Sequence, residues 1–401
     1  MHQPHILLAG ALVISASSRP SEQPTIKIFS PSGAQHTLSC ESQRRDNTFY
    51  ITTLAIDQSP PSMGKVRFAS FFSTGEFTIF SVNTAPLSTS AARLTYSPSR
   101  GNLNNSIVRA AYHHPLLVAL SHSFELFVYD LSNGAARHTQ TLTSFTSFPP
   151  TSLVLSTPSA ITYKLVLVYA VPVYPAHWSV GATELVISGA TISSTPTLSS
   201  LPSVVSQSPP TVGAMSVLST RTTRAIDIPQ GWVDDQKLRS MREQWNRKVS
   251  RVADTQTDGK WIVLAPGEEF SLPSSPGTTL SSTISTASNS SATLQLYRLH
   301  LPAQSTSISA SPPKLTFVRG LHGQIGPISS LALADGRCVS LGQNGSLWVW
   351  DLEAAIGAEV AASRPENDRA NNRLMQGTVA FDDRRIITVE TTGVVLRRFD
   401  V

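Results

Sequence analysis

Three groups of side chains invite a chemical reading. Asp382-Asp383 pairs two carboxylates, His113-His114 pairs two imidazoles, and Cys40 and Cys338 are the chain's two thiols. Two carboxylates serve acid–base catalysis when their surroundings drive their pKa values apart. Here the pair runs straight into Arg384-Arg385, which reads as a solvated strand turn. A metal ion at the histidine pair would need further His, Cys or carboxylate ligands at local spacing, and none is there. The cysteines lie almost 300 residues apart. That usage fits a reducing compartment, with Cys338 as a small buried hydrophobe in a strand. Nucleotide-binding glycine fingerprints, a Walker loop, an HExxH pair and a GxSxG elbow are all missing. The sequence therefore predicts no catalytic residue, no cofactor and no metal site. A catalytic site assembled from distant segments would escape this test, because fold alone does not fix function.

What remains is recognition. Asp234 is a suitable N-cap, and Asp235 favours a helix start. Leu238, Met241, Trp245, Val249 and Val252 recur at helical spacing and predict an inserted amphipathic helix over 232–251. From Trp232 to Arg251 six basic residues face three acidic ones. Arg239, Arg242 and Arg247 are the contact candidates for a docking or anion-binding helix. The plainer reading packs the stripe on the protein body and leaves the basic face to water.

The elements that position these groups read as strands. In Gly320–Leu352 one strand rises through Ile328 to Leu333, Asp335-Gly336 turns the chain, and Arg337 to Leu341 runs back. Asn344-Gly345 makes the next hairpin, since both residues tolerate positive φ, and Ser346 to Trp350 follows. Similar strand ends recur at Phe29, Phe80, Tyr129, Val186, Tyr297, Trp350 and Phe399, at steps of 51, 49, 57, 111, 53 and 49 residues.

The Gly320–Leu352 unit resembles a WD40 repeat, with Gly-His near its start and Trp350-Asp351 at its end. The resemblance implies an all-β, WD40-like β-propeller in a single domain over residues 1–401. Seven strand ends imply seven blades, although the step of 111 leaves room for a degenerate eighth. In such repeats a His, a Ser or Thr, an Asp and the Trp form a hydrogen-bonded staple. His322, Ser340 and Trp350 match it, while Asn344 stands in the Asp place and removes the charge. The other blades match less of the set, which predicts blades held more by packing than by polar staples.

Together with the insert GWVDDQKLRSMREQWNRKVSRVADTQTDGKWIVLAP, the unit is similar to fungal F-box/WD-repeat proteins. That resemblance implies a non-catalytic interaction scaffold, the substrate-recognition propeller of an SCF-type ubiquitin ligase. Its partners would be other proteins, with ligase subunits engaged through an N-terminal domain that this sequence does not show. His322, Gln324, Trp348 and Arg397 are further candidates near the ring-face loops. The alternatives are a secreted propeller, carbohydrate-binding or hydrolytic, and a nucleic-acid-associated scaffold using the helix around Arg242.

The rest of the chain bears on these alternatives. A net charge of +5 over 401 residues is weak support for nucleic acid. No apolar run reaches transmembrane length. Residues 6–14 read as a strand, the second of a blade whose first strand has no room. The same residues, followed by small ones, also resemble a signal-peptide core with cleavage near Ser18, but no Lys or Arg precedes them. The strand reading goes with a cytoplasmic or nuclear protein. The signal reading goes with secretion and makes the N-x-S triplets at Asn104, Asn289 and Asn344 glycan acceptors. Residues 191–222 and 271–293, rich in Ser, Thr and Pro, predict low-complexity loops that could accept phosphate.

Overall fold

The computed structural model describes residues 5–16, 23–43, 48–61, 64–84, 92–98, 106–174, 176–191, 212–226, 233–267, 293–302, 312–362, 377–390 and 393–399. They form seven antiparallel sheets taken in chain order. Six sheets have four strands and the seventh has three. Blade 1 spans His5–Ala9 to Gln35–Ser39, blade 2 Ile51–Ile56 to Ala92–Tyr96, and blade 3 Ile107–His113 to Arg137–Thr143. Blade 4 spans Phe148–Ser159 to Val212–Arg224, and blade 5 Val252–Thr257 to Lys314–Leu321. Blade 6 spans Ile328–Ala334 to Ile356–Ala361, and blade 7 Thr378–Phe381 to Gly393–Arg398.

The first strand of each blade neighbours the first strand of the next, and blade 7 returns to blade 1. The protein is a closed seven-bladed β-propeller. Six of the strand ends used for the count lie on the third strand of successive blades, and Phe399 directly follows the third strand of blade 7. Among the described residues, the long step after Val186 holds the fourth strand of blade 4, a helix and the first two strands of blade 5. Among the described residues it holds no eighth blade.

Three expectations change in detail. Residues 6–14 are two strands, His5–Ala9 and Leu12–Ala16, paired across a turn at Gly10, whose φ is 55°. Glycine reaches that region without strain, so blade 1 has all four strands. Residues 212–222 lie in a strand, because the run Val212–Arg224 pairs along its length with His177–Thr191. Thr191 ends the strand His177–Thr191, while residues 192–211 and 271–292, Ser18, Asn104 and Asn289 lie outside the described residues. The helix, α1 (Asp235–Trp245), is shorter than the apolar stripe. Val249 leaves it to exchange main-chain hydrogen bonds with Trp178, and Val252 opens the next strand.

Six buried apolar clusters hold the ring, each shared by two successive blades. Between blades 2 and 3, Phe71, Phe77, Tyr112 and Phe127 are all buried, and Phe77 packs edge-on to Tyr129 at 5.0 Å. Among the described residues the seam between blades 7 and 1 has no such cluster. It is bridged by Arg385, whose guanidinium donates to Gly10 O and Ala11 O at 2.5 and 3.0 Å.

Candidate functional site

The two faces of the ring are built differently. One carries the loops between blades and the turns between second and third strands, and there polar staples are buried. In blade 6, Asp335 and Gly336 both have positive φ (48° and 71°), as a tight hairpin requires. The second strand, Arg337–Gly342, then aligns Ser340 beside the third strand, Leu347–Asp351. Trp350 Nε1 donates to Ser340 Oγ at 2.8 Å, and Ser340 Oγ donates to Gln324 Oε1 at 2.5 Å. Gln324 Nε2 donates to Ser346 Oγ, and Asn344 ties the turn to Ile325 O through its amide. Gln324 thus fills the place expected for His322, and Ser346, not Asn344, is its partner on the turn. His322 lies on the exposed side, 3.2 Å from Thr293 Oγ1. Asp351 Oδ1 accepts from the Glu353 and Ala354 N–H groups and caps the following turn. Trp348 stacks on Trp350 at 5.3 Å, and Arg397 donates to Thr388 Oγ1.

Blade 2 has a second staple, built around a carboxylate. Glu76 follows the Thr74-Gly75 turn and is fully buried. It accepts from Ser42 Oγ, Gln43 N, Thr74 Oγ1 and Ser97 Oγ, so the charge is met by four donors. Ser42 and Gln43 belong to the blade 1–2 connection, which Glu76 locks to the turn. A carboxylate inside a run as apolar as FFSTGEFTIF was a legible signal, since a buried acid needs a structural or chemical reason.

The pore holds a third polar group. Asp254 is buried and accepts from the Leu331 and Thr255 N–H groups at 2.8 Å, linking blades 5 and 6. Burial pushes its carboxyl up, opposed by Arg109 and these donors. Arg109 Nε donates to Thr151 O at 2.9 Å and links blades 3 and 4. His5, from blade 1, is pushed down to about 4 by burial and then by the Arg109 charge. All three side chains border a cavity of about 480 Å³. Asp254 also accepts from the Gln256 side-chain amide at 3.3 and 3.4 Å, and the bonds from Leu331 N–H to Asp254 and from Arg109 to Thr151 O each join two blades, which makes these groups ring fasteners. Among the described residues no His, Cys, Asp and Glu grouping could hold a metal ion.

The basic helix projects from the stapled face, in the connection between blades 4 and 5. Asp234 caps it by accepting from Lys237 N at 2.7 Å. No residue of α1 is buried, and Leu238 and Trp245 are more than a third exposed. Arg239 and Arg242 stand in solvent. Arg247 lies beyond the helix end with its guanidinium 4.7 Å from the Phe317 ring centre, so it is engaged with blade 5. The three arginines therefore do not form one patch of equal availability.

The opposite face carries the turns between first and second strands. Between blades 1 and 2 it opens into a cavity of about 1110 Å³, bordered by Leu8, Leu12, Ile56, Val66, Lys65 and Arg67 among others. Arg67 is held by Asp57 at 2.8 Å and donates to Ser59 Oγ at 3.1 Å. At the blade 7–1 seam lies a second cavity, of about 560 Å³, bordered by Asp382 to Arg385, Arg398 and Phe399. The two share Gly10, Ala11 and Pro31.

Fold and surfaces define a WD40-like β-propeller of seven blades, the class that the Gly320–Leu352 unit predicted. The family model for the F-box protein pof12 beta-propeller matches residues 25–376, and the chain belongs to that family. Two solved structures resemble it across nearly their whole lengths. The computationally designed Ika8 protein is 10% identical, covers 98% of this chain and 95% of its own, and has a TM-score of 0.43. The Cps50 (Swd1) β-propeller domain of Myceliophteria thermophila is 8% identical, covers 100% of this chain and 98% of its own, and has a TM-score of 0.47. No curated protein matches the sequence. The propeller and its family together support a protein-interaction scaffold.

Proposed function

We propose that this propeller is the non-catalytic, substrate-recognition part of an SCF-type ubiquitin ligase, working in the cytoplasm or nucleus. The observation that carries the proposal is membership, over residues 25–376, of a family defined on an F-box protein's propeller. In this reading an F-box domain of the same gene product engages the ligase subunits, and the ring holds the protein to be modified. The fold suits that task, since seven blades held by buried clusters form a rigid platform with loops on both faces. The exposed helix α1, with Arg239, Arg242, Leu238 and Trp245, is one docking element on the stapled face.

Affinity purification of the full-length gene product from its own cells, with mass spectrometry of bait and partners, tests the proposal. Ligase adaptor and cullin subunits are expected, on a bait that carries an F-box. A bait that begins near Ser18, bears glycans and brings no ligase subunit would overturn it in favour of a secreted propeller.

A further inference from the structure

The two cavities on the unstapled face adjoin at the Gly10–Ala11 hairpin, which with Pro31 lines both, and so make up the two ends of a groove. Its larger end is apolar, with Leu12 buried and Leu8, Ile56 and Val66 half-buried beneath a rim that includes Pro60 and Pro61. A space of about 1110 Å³ accepts several side chains at once. Its charges are unevenly committed. Arg67 is held by Asp57, and Arg385 by Asp382 and the main chain of blade 1. Asp383 stands 3.9 Å from Arg337. Lys65 at one end, and Arg384 and Arg398 at the other, are exposed cations without an ion-pair partner among the described residues.

We propose that this groove is a docking site for an extended peptide segment of a partner protein. Apolar side chains of the segment enter the cavity between blades 1 and 2, and acidic residues on either side meet Lys65 and the Arg384–Arg398 pair. This deepens the scaffold reading, on which it rests, by assigning the captured segment a place and a chemistry. An apolar floor flanked by exposed cations complements such a segment in both shape and charge. A nucleic acid would require a continuous basic track and has no use for an aliphatic pocket of this size. The hairpin at the groove's centre is also where blade 1 receives Arg385 from blade 7. A segment lying there touches blades 2, 1 and 7 together.

Selection of a display library of random peptides on the full chain tests this directly. Two surface changes serve as counter-screens. Ala34→Trp fills the cavity mouth from an exposed position, and the double variant Lys65→Glu/Arg384→Glu reverses the charge at both ends. Neither removes a buried atom, so both should unfold at the wild-type temperature. The expected winners carry acidic residues flanking an apolar pair. They should lose binding to Ala34→Trp and weaken about tenfold or more on the charge-reversed protein. Winners that are basic, or that bind both variants as tightly as wild type, would overturn the groove. Cellular partners that co-purify equally with wild type and Ala34→Trp would overturn it too, while leaving the scaffold reading standing.

Discussion

Blades 2 and 3 meet differently from blades 7 and 1. At the first seam Phe71, Phe77, Tyr112, Phe127 and Tyr129 interdigitate and are almost wholly buried. At the second, Ile387 and Val389 are buried but belong to none of the six clusters, and Arg385 spans the seam by donating to two main-chain oxygens. Apolar area removed from water stabilises at about 25 cal/mol per Å² without directional demands. A guanidinium bridge with partial exposure contributes about a kcal/mol and is lost if either side moves. Among the described residues, six seams of this ring are filled by apolar clusters and the seventh is bridged by Arg385. The groove assigned to partner binding reaches across that seventh seam.

The largest expected effect is at the seam between blades 2 and 3. Phe77→Ala removes a fully buried ring in contact with Phe71, Tyr96 and Tyr129. Chemical denaturation should show a loss of about 3–5 kcal/mol. Next comes the charged staple. Glu76→Ala strands four donors of blade 2 and its connection, and about 3 kcal/mol should be lost. The neutral staple of blade 6 is smaller. Trp350→Phe deletes one buried hydrogen bond to Ser340 and should cost about 1–2 kcal/mol.

Arg385→Ala sharpens the comparison further. It should lower global stability by only about 1 kcal/mol, yet accelerate amide exchange selectively in blades 7 and 1. If it costs as much as Phe77→Ala, the two seams are equivalent and the comparison fails. Smaller still is a pH effect in the pore. His5 has its pKa depressed to about 4 in the folded chain, below the value of about 6.5 in an unfolded one. The unfolded state therefore takes up the proton first, and stability falls as pH drops from about 6.5 towards 4. His5→Gln should flatten the denaturation midpoint over that window relative to wild type. Burial also raises both thiols, Cys40 to about 12. A thiol-reactive dye at pH 8 should label neither until the ring unfolds.

Much of the fold was legible because blades repeat a simple rule. Apolar strands that end on an aromatic or apolar residue about 50 residues apart can only be placed in successive sheets. Asp335-Gly336 has positive φ at both residues, as expected, whereas at Asn344-Gly345 only Gly345 does (82°), so that turn is longer than the expected two-residue hairpin and closes through Gly342 N–H to Ser346 O. The hairpin inside residues 6–14 was hidden because Gly10 in a continuous apolar run looks like strand filling. The strand Val212–Arg224 was hidden because a Ser/Thr-rich edge strand has the composition of a loop. The end of α1 was misjudged because a helical apolar spacing continues to Val252, while the pairing of Val249 with Trp178 depends on a residue over 70 positions away. The surfaces were less legible. Gln324 and Arg385 act through partners on other strands or other blades, and of Glu76 only the acid in an apolar run was legible, not its donors. The groove gathers Lys65, Arg384 and Arg398 from opposite ends of the chain, which no local spacing reveals.

Hydrogen exchange with mass spectrometry, on the protein alone and with a library-selected peptide bound, reads the blade 7–1 seam and the groove in one experiment. Alone, amides of 5–16 and 385–398 should exchange at least about tenfold faster than those of the inner strands of blades 3 to 5. With the peptide bound, protection should concentrate at Gly10–Ala11, at the strand beginning with Lys65, and at 382–398. Uniform exchange across all seven seams, with ligand protection confined to the stapled face around Gln324 and Trp348, would rule out both the weaker seam and the groove.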